Sequence, residues 1–351
     1  MDSISQIDLS DPARVQEWDG YVLAHPEGTV FHTTYWIRTL QDTYSFKPFL
    51  GTSRGRGGCI SAIFPFIVIK NLVSGCRFIS LPFSDFCGPL FSGEEPNDSP
   101  IESLIREPKC RCNSIEIRSP IKQLNGFQVD NLYKRHTLLL GPDPDSVLSH
   151  VDKRTIRYSI RKSKKAGVRI VEDNSLGGMK EFYRLNLLTR KKHGVPSQPY
   201  KLFESIFRNF ISTGTLKILL ACYEDVVVAG GVFISFKDTI YYKYSASDPK
   251  YIISVTPNHL LTWTAIESAC AEGKKFFDFG RTSSDNIGLM RYKEMWGATP
   301  YDLPYLYYPH KKGPVNPTES SFIYKTFTDL WRRLPASVAE IVGPRIYRYM
   351  A

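Results

Sequence analysis

The stretch LKILLACYEDVVVAGGVFISF, residues 216–236, decides the fold of the second half of the chain. Two apolar runs of strand length are joined there by Glu224 and Asp225, a polar pair suited to a tight turn. A further apolar run from Thr239 to Ser245 predicts a third strand. The three strands are expected to follow one another as an antiparallel meander.

A long helix and a fourth strand are predicted after the meander. The helix is expected from Pro257 to about Glu272, because Thr256 and Pro257 suit its first positions and Gly273 suits its end. The strand is expected from Lys275 to Phe279, and it is expected to stop at Gly280, before a polar loop and a short helix. This mixture of strands and helices predicts an α/β fold in which mixed central sheets are flanked by helices.

The first half of the chain repeats the beginning of this plan. Residues 49–69, FLGTSRGRGGCISAIFPFIVI, again show an apolar strand, a tight polar turn, small residues and a second apolar strand. We interpret the similarity as a divergent duplication that gives two tandem domains and not a solenoid. The expected domains are residues 1–143 and 144–310, followed by a helical tail over residues 311–351.

Net charge is distributed unevenly along the 351 residues. Residues 1–150 hold 14 Lys and Arg against 17 Asp and Glu, a charge of −3, whereas residues 151–351 hold 31 against 18, a charge of +13. A basic half favours a polyanionic partner such as tRNA, a nucleotide or an anionic lipid surface, because long-range attraction raises encounter rates. We expect no DNA partner. A surface that merely keeps the protein in solution is the alternative.

Residues 144–167 are predicted to form one basic helix that opens the second domain. An apolar stripe occupies one side of this helix, and Lys and Arg cover the rest. Arg154, Arg157 and Arg161 are spaced so that their guanidinium groups could contact phosphates of a donor or acceptor along one side. The alternative is an ordinary solvated helix face.

The seven cysteines favour a reducing, cytoplasmic location. Their number is odd and they are scattered along the chain. Cys110 and Cys112 form a C-x-C pair, but no second pair or nearby histidine completes a zinc site, so no metal is expected. No apolar run reaches the roughly 18 to 20 residues that a membrane-spanning helix needs.

Two amphipathic helices are predicted in the tail, SSFIYKTFTDLWRRL over residues 320–334 and PASVAEIVGPRIYRYM over residues 335–350. They combine aromatic and basic side chains, a composition that could lie on an anionic membrane surface. Docking of the same helices against the body of the protein is the alternative.

The segment YKEMWG, residues 292–297, resembles the aromatic-Lys-x-x-aromatic-Gly signature of the Fem family of aminoacyl and peptidyl transferases. The resemblance extends from about Thr29 to Tyr308, and FemAB-like and BioF2-like acetyltransferase proteins are similar over that length. It includes three further segments, FDFGR (277–281), PNHLLTWTAIESACAEG (257–273) and RYSIRKSKKAGVRIVED (157–173).

The resemblance implies two GNAT-like acyltransferase domains in which the strands on either side of the long helix lie parallel and then splay apart to form the site. It also implies transfer of an acyl or aminoacyl group to an amine of a cell-envelope or polysaccharide precursor. The donor would be aminoacyl-tRNA or acyl-CoA, and the acceptor a small-molecule or lipid-linked glycan or peptide. Lys293 and Tyr292 would lie at the transfer centre, where a fixed ammonium stabilises the developing oxyanion. A surface lysine whose stem packs on Trp296 is the alternative for Lys293.

Three other residues are candidates for the site. Asp278 could act as the base that deprotonates the attacking amine, or it could form a salt bridge with Arg281 that orients the loop. His259 lies two residues into the long helix and could contact a substrate phosphate at the helix N-terminus, although a structural role is the alternative.

The chain departs from the family pattern in two places. Fem proteins that bind nucleotide-linked precursors carry Lys four residues after a Trp in the first domain, whereas Trp36 is followed by Leu40. Residues 246–259, ASDPKYIISVTPNH, contain no glycine, so they lack the run that cradles a CoA pyrophosphate. Two other functions stay open, a CoA-dependent N-acetyltransferase and a noncatalytic tRNA- or anion-binding protein.

Overall fold

The structure is a computed structural model that describes residues 4–55, 57–71, 75–93, 114–119, 124–309 and 321–348. The chain divides into two compact units, one of residues 1–133, 302–316 and 351, the other of residues 134–301 and 317–350. The predicted boundary at residue 143 differs from this division, in which residues 134–143 and most of the predicted tail belong to the second unit. Cys110 and Cys112 lie outside the described residues.

The first unit is built on an antiparallel meander that ends in a parallel pair of strands. Strand β2 pairs with β3 and β3 with β4 in antiparallel fashion, while β4 and β6 are parallel, with Arg77 opposite Ser114. Its elements are β1 (Ser5–Gln6), α1 (Pro12–Ala24), α2 (Thr34–Tyr44), β2 (Lys47–Arg54), β3 (Ile60–Asn71), β4 (Gly75–Ile79), β5 (Leu90–Phe91) and β6 (Ser114–Arg118).

The remaining elements belong to the second unit, except that the first half of β7 and most of β13 lie in the first unit. In chain order they are β7 (Gln128–Leu139), α3 (Pro144–His150), a π-helical turn (Lys153–Arg157), α4 (Tyr158–Lys165), β8 (Arg169–Glu172), α5 (Leu176–His193), α6 (Tyr200–Phe210), β9 (Leu216–Tyr223), β10 (Val226–Phe236), β11 (Thr239–Ser247), α7 (Pro257–Ala271), β12 (Phe276–Ser283), α8 (Ile287–Met295), β13 (Thr299–Tyr308), α9 (Phe322–Arg333) and α10 (Ala336–Tyr347). The chain enters this unit within β7 and leaves it within β13.

Strand pairing in the second unit repeats that of the first. Strands β8, β9, β10 and β11 pair antiparallel in that order, and β11 then pairs parallel with β12. The same sequence of pairings in both halves agrees with the predicted duplication. The α/β fold class with mixed sheets flanked by helices is therefore confirmed.

Helix α7 is held against the sheet by close packing at Gly231. A Cβ atom at that position of β10 would lie 2.9 Å from the Leu261 side chain of α7, so only glycine lets the helix approach so closely. Leu261, Trp263, Ile266 and neighbouring apolar residues of α7 are buried, and each such side chain contributes about 1.5–3 kcal/mol on burial. This packing fixes the N-terminus of α7 beside the end of β11, where Asn258 Nδ2 donates to Ser247 Oγ at 3.2 Å.

The single basic helix predicted for residues 144–167 is wrong. Helix α3 ends at His150, and the backbone of the following Val151 is extended. The Asp152 side chain then accepts a hydrogen bond from the Thr155 amide at 2.6 Å, which begins a new helical segment. The break occurs because an aspartate that caps the following turn competes with continuation of the preceding helix.

The two predicted tail helices are confirmed as α9 and α10, and both pack within the second unit. Trp331 and Ala339 are buried, and the Gln198 Nε2 atom donates to the Tyr347 hydroxyl at 3.3 Å. In the described part of the chain, no helix combines the length and apolar character that crossing a membrane requires.

Candidate functional site

The site is built where strands β11 and β12 separate. The parallel ladder joins Thr239–Tyr241 to Phe276–Asp278, after which β11 continues to Ser247 and β12 to Ser283. The predicted end of β12 at Gly280 is wrong, since residues 281–283 extend the strand and carry Arg281 with it. Helix α7 begins beyond the end of β11 and α8 follows β12, so both helices border the region between the strands.

Aromatic side chains of β11, β12, α7 and α8 cluster beside the point where the strands separate. The Tyr242 and Phe279 rings lie 6.5 Å apart, and His259 lies 5.8 Å from Tyr292 and 6.4 Å from Trp296. Burial raises the pKa of both Tyr242 and Tyr292 above the ordinary tyrosine range. The phenols are therefore protonated at neutral pH and can donate hydrogen bonds, but they do not act as bases.

Lys293 lies on α8 and is buried, with 5% of its surface exposed. Its Nζ atom donates to the carbonyl oxygens of Gly280, at 2.9 Å, and Arg281, at 3.3 Å. The burial excludes the surface lysine that was the alternative for this residue. Lys293 thus joins α8 to the last part of β12 and places an ammonium group beside the separating strands.

Asp278 is almost fully buried, with 1% exposed, and both of its carboxylate oxygens are engaged. Oδ2 accepts a hydrogen bond from Arg135 Nε at 2.6 Å, and Oδ1 accepts one from the Gly280 amide at 2.6 Å. Arg135 on β7 forms a salt bridge with Asp278 that the sequence did not indicate, and the pairing with Arg281 stays a prediction. Action of Asp278 as a base stays a prediction, since its contacts show a group that positions the backbone.

Gly280 is the point at which these contacts meet, and we call the arrangement the Gly280 clamp. The Asp278 carboxylate holds the amide of Gly280, while the Lys293 ammonium holds its carbonyl oxygen. Gly280 has a φ of +71°, a conformation that side-chain-bearing residues rarely adopt. Two opposite charges, Asp278 on β12 and Lys293 on α8, therefore fix the two peptide groups on either side of Gly280 at the edge of the site.

His136 on β7 is a residue of this region that the sequence did not indicate. Its side chain is fully buried, and neither ring nitrogen has a hydrogen-bond partner in the described structure. Burial, together with the nearby charges of Lys293 and Lys134, lowers the pKa of His136 from 6.5 to about 4. The ring is therefore neutral at physiological pH. The only signal in the sequence was a histidine after Lys134 and Arg135 in a strand of mixed polarity, and that pattern does not indicate a functional residue.

The three arginines chosen from the sequence do not form one row. Arg157 donates to the Ser149 carbonyl oxygen at 2.6 Å and to that of Val151 at 3.1 Å, so it stabilises the break between α3 and the π-helical turn. Arg154 and Arg161 are exposed. A phosphate contact by these two arginines stays a prediction, whereas Arg157 has a structural role.

Helix α4 also supports the loop that leads into α7. Lys162 Nζ donates to the Ile253 carbonyl oxygen at 2.7 Å, and Thr256 Oγ1 donates to that of Ser159 at 2.9 Å. Thr256 precedes α7 as predicted, but its side chain forms no capping hydrogen bond within the helix. Helix α4 therefore lies next to the N-terminus of α7.

His259, in the first turn of α7, is partly buried and packs on Trp296. Burial lowers its pKa, so the ring is neutral and offers no positive charge to a phosphate at neutral pH. The predicted phosphate contact by His259 is not tested by these observations. In the residues that the structure describes, no group of three or more His, Cys, Asp or Glu side chains could hold a metal ion.

Comparison with known proteins agrees with this geometry. Residues 152–294 match the family described as "Acetyltransferase (GNAT) domain". A relative, the "Lipid II:glycine glycyltransferase" of Staphylococcus haemolyticus (strain JCSC1435), is 21% identical over 382 residues, which covers 81% of this chain and 88% of the relative.

Two solved structures share the fold. The crystal structure of FemX has a TM-score of 0.67 at 16% identity and covers 86% of this chain and 96% of that chain. A tandem GNAT protein from the clavulanic acid biosynthesis pathway has a TM-score of 0.55 at 11% identity, covering 90% and 99%. The predicted fold of two tandem GNAT-like domains is confirmed.

Proposed function

Because this chain is a FemAB-like protein of the GNAT superfamily, and hence an acyltransferase, we propose that it transfers an aminoacyl group from aminoacyl-tRNA to an amine of a peptidoglycan precursor. The observation that carries the proposal is the separation of β11 and β12 with the Gly280 clamp at its edge. The clamp places a buried ammonium group beside the separating strands, where it would meet the carbonyl oxygen of a bound donor.

Transfer requires attack of the acceptor amine on the ester carbonyl carbon of the donor. The new C–N bond forms, the carbonyl electrons move to oxygen, and the C–O bond to the donor ribose then breaks, with the amine proton leaving on the ribose oxygen. The developing oxyanion is stabilised by the ammonium of Lys293 and by the neutral phenol of Tyr292, because such donors act strongly where water is excluded. Asp278 contributes by positioning Gly280.

The loop between β11 and α7 favours aminoacyl-tRNA over CoA as donor. Its amides at Asp248, Lys250, Tyr251 and Val255 already donate to acceptors within the unit. A CoA pyrophosphate needs several free amides in this position. With no glycine in residues 246–259, the loop has little means of offering them. Exposed Arg154 and Arg161 would instead contact the phosphates of the tRNA.

Leu40 favours a lipid-linked acceptor over a nucleotide-linked one. The resemblance to nucleotide-binding Fem proteins would require lysine at this position, but Leu40 is fully buried in the first unit. Trp36 is also buried, and its indole donates to Ser84 Oγ at 2.7 Å. A phosphate-binding lysine has no place among these core side chains.

The test combines two donors with two acceptors. Purified protein is incubated with a mixed aminoacyl-tRNA pool or with acetyl-CoA, and with the lipid-linked or the nucleotide-linked form of an amine-bearing peptidoglycan precursor. Mass spectrometry of the acceptor should show addition of one amino acid only with aminoacyl-tRNA, and mainly on the lipid-linked form. Addition of an acetyl group, or no transfer by well-folded protein, would overturn the proposal.

A further inference from the structure

We propose that α9, α10 and the basic end of α5 form a surface, the tail surface, that binds an anionic lipid bilayer. Its link to an acceptor held in a membrane rests on the proposed function. The lipid binding itself rests only on the side chains of the second unit.

Helix α9 presents apolar side chains away from the protein. Its inner side carries Trp331 and Thr328, both buried. On the opposite side Phe322 is 83% exposed and Leu330 is 65% exposed. Arg333 is also exposed, and in a view down the helix axis it lies between these two side chains. A large exposed phenylalanine ring is costly in water and suits the boundary between lipid headgroups and acyl chains.

Helix α10 has a similar outer stripe. Ala339 and Gly343 face inward, where a Cβ atom on Gly343 would lie 2.9 Å from Ser197 Oγ. Val338, Ile341, Arg345 and Arg348 follow at intervals of three and four residues, which places them on one side of the helix, and all are exposed. Of the two apolar side chains, Ile341 is the more exposed, at 59%. Two apolar side chains and then two arginines therefore line one outward stripe of α10.

Positive charge predominates around the same helices, which also carry the exposed acids Asp329, paired with Arg332, and Glu340. The last turn of α5 contains Arg190, Lys191, Lys192 and His193. Arg332 of α9 joins this turn by donating to the Lys192 carbonyl oxygen at 3.4 Å. The pKa of His193 is lowered by burial and by the nearby cations Lys192, Arg190 and Arg332, which reports a local excess of positive charge.

This combination fits an anionic bilayer as the occupant. Each Lys or Arg near such a surface contributes about 1 kcal/mol, and the attraction falls off within a Debye length. The apolar side chains add the energy of partial insertion. Each tail helix has 12 residues, about 18 Å of helix, so both can lie in the plane of the interface but cannot cross the bilayer.

The test is sedimentation of the full chain with vesicles of phosphatidylglycerol and phosphatidylcholine, and with vesicles of phosphatidylcholine alone. The protein should pellet with the anionic vesicles, and less so as salt is raised. The double variant Phe322→Ser and Ile341→Ser should lower the partition coefficient at least about tenfold. Leu23→Ser, an exposed leucine of α1, is the matched control and should bind like the wild type.

A second pair of variants separates charge from apolar contact. Arg345→Glu with Arg348→Glu should reduce binding to anionic vesicles by about tenfold or more, while Arg208→Glu on α6 should have little effect. Equal pelleting of wild type and both double variants would overturn the proposal, as would equal binding to neutral vesicles. Reversible self-association that the Phe322→Ser, Ile341→Ser variant abolishes, without vesicle binding, would show that a second copy covers this surface and would also overturn it.

Failure of this inference can be distinguished from failure of the proposed function. The apolar double variant should transfer normally to an acceptor in detergent micelles but slowly to the same acceptor in vesicles. Vesicle binding without any transfer would leave the tail surface intact and remove the proposed function. Transfer that is equal in micelles and vesicles for every variant would keep the proposed function and remove the role of the tail surface.

Discussion

Replacement of Lys293 by methionine tests the Gly280 clamp most directly. Methionine keeps an unbranched apolar stem but removes the ammonium that holds the carbonyl oxygens of Gly280 and Arg281. A buried carbonyl left without its donor costs about 1–3 kcal/mol, and the longer, partly buried bond to Arg281 contributes less. We therefore expect Lys293→Met to lower the free energy of unfolding by about 2–4 kcal/mol.

Urea unfolding followed by tryptophan fluorescence measures this loss, since Trp263 and Trp296 are buried in the same unit. The matched control is Lys275→Met, because the Lys275 ion pair with Asp238 is exposed and its loss should cost less than about 1 kcal/mol. If Lys293→Met is no more destabilising than the control, the clamp does not exist as described.

The same variant tests the catalytic proposal under conditions where it is folded. Loss of the ammonium should reduce the rate of transfer at saturating substrate by about 10²–10³, as for the removal of an oxyanion-stabilising donor. Lys293→Arg retains the charge but cannot place a compact ammonium between two carbonyl oxygens, so it should recover stability better than activity. A stable Lys293→Met protein with normal transfer would refute the role assigned to Lys293.

Three further predictions follow from the second unit. In a double-mutant cycle of Asp278→Asn with Arg135→Gln, the coupling energy should be about 1–3 kcal/mol. The cycle of Asp278→Asn with Arg281→Gln should give a coupling energy below about 0.5 kcal/mol. Equal coupling energies in the two cycles would show that Arg281 is as strong a partner of Asp278 as Arg135 is. The folded pKa of His136 is about 4, below its ordinary value of 6.5, so the unfolded chain binds more protons than the folded chain between these pH values. The free energy of unfolding therefore decreases as the pH is lowered through this range. This histidine should cost about 2 kcal/mol between pH 6.5 and 5, and urea titrations of His136→Gln should show a correspondingly smaller loss; an unchanged pH dependence would contradict the assignment. Gly194→Ala should loosen α9, because Gly194 has a φ of +69° and a Cβ atom there would collide with the Thr328 carbonyl oxygen. Limited proteolysis should then cleave the tail at least about fivefold faster than in the wild type. An unchanged cleavage rate would contradict this packing of α9.

Local patterns predicted the elements of the second unit well. The strands of the meander and helix α7 were found because alternating or continuous apolar runs, tight-turn residues and a first-turn proline act over a few neighbouring residues. The same reasoning failed at Asp152, where a cap inside a continuous apolar stripe ends one helix and starts another. It also ended β12 too early at Gly280, because a glycine was interpreted as a stop where the strand continues through a left-handed residue.

The sequence by itself determined the order of elements, the duplicated plan, the basic second half and the position of Lys293 in a short helix after the fourth strand. Only the tertiary structure decided which charges meet. Arg135 and Asp278 are 143 residues apart in the chain, and the unpartnered ring of His136 is significant only because it is buried near the charge of Lys293. The reason is physical, since spacing along the chain governs contacts within one turn or one strand. The pairing of buried charges depends on which strands become neighbours in the sheet.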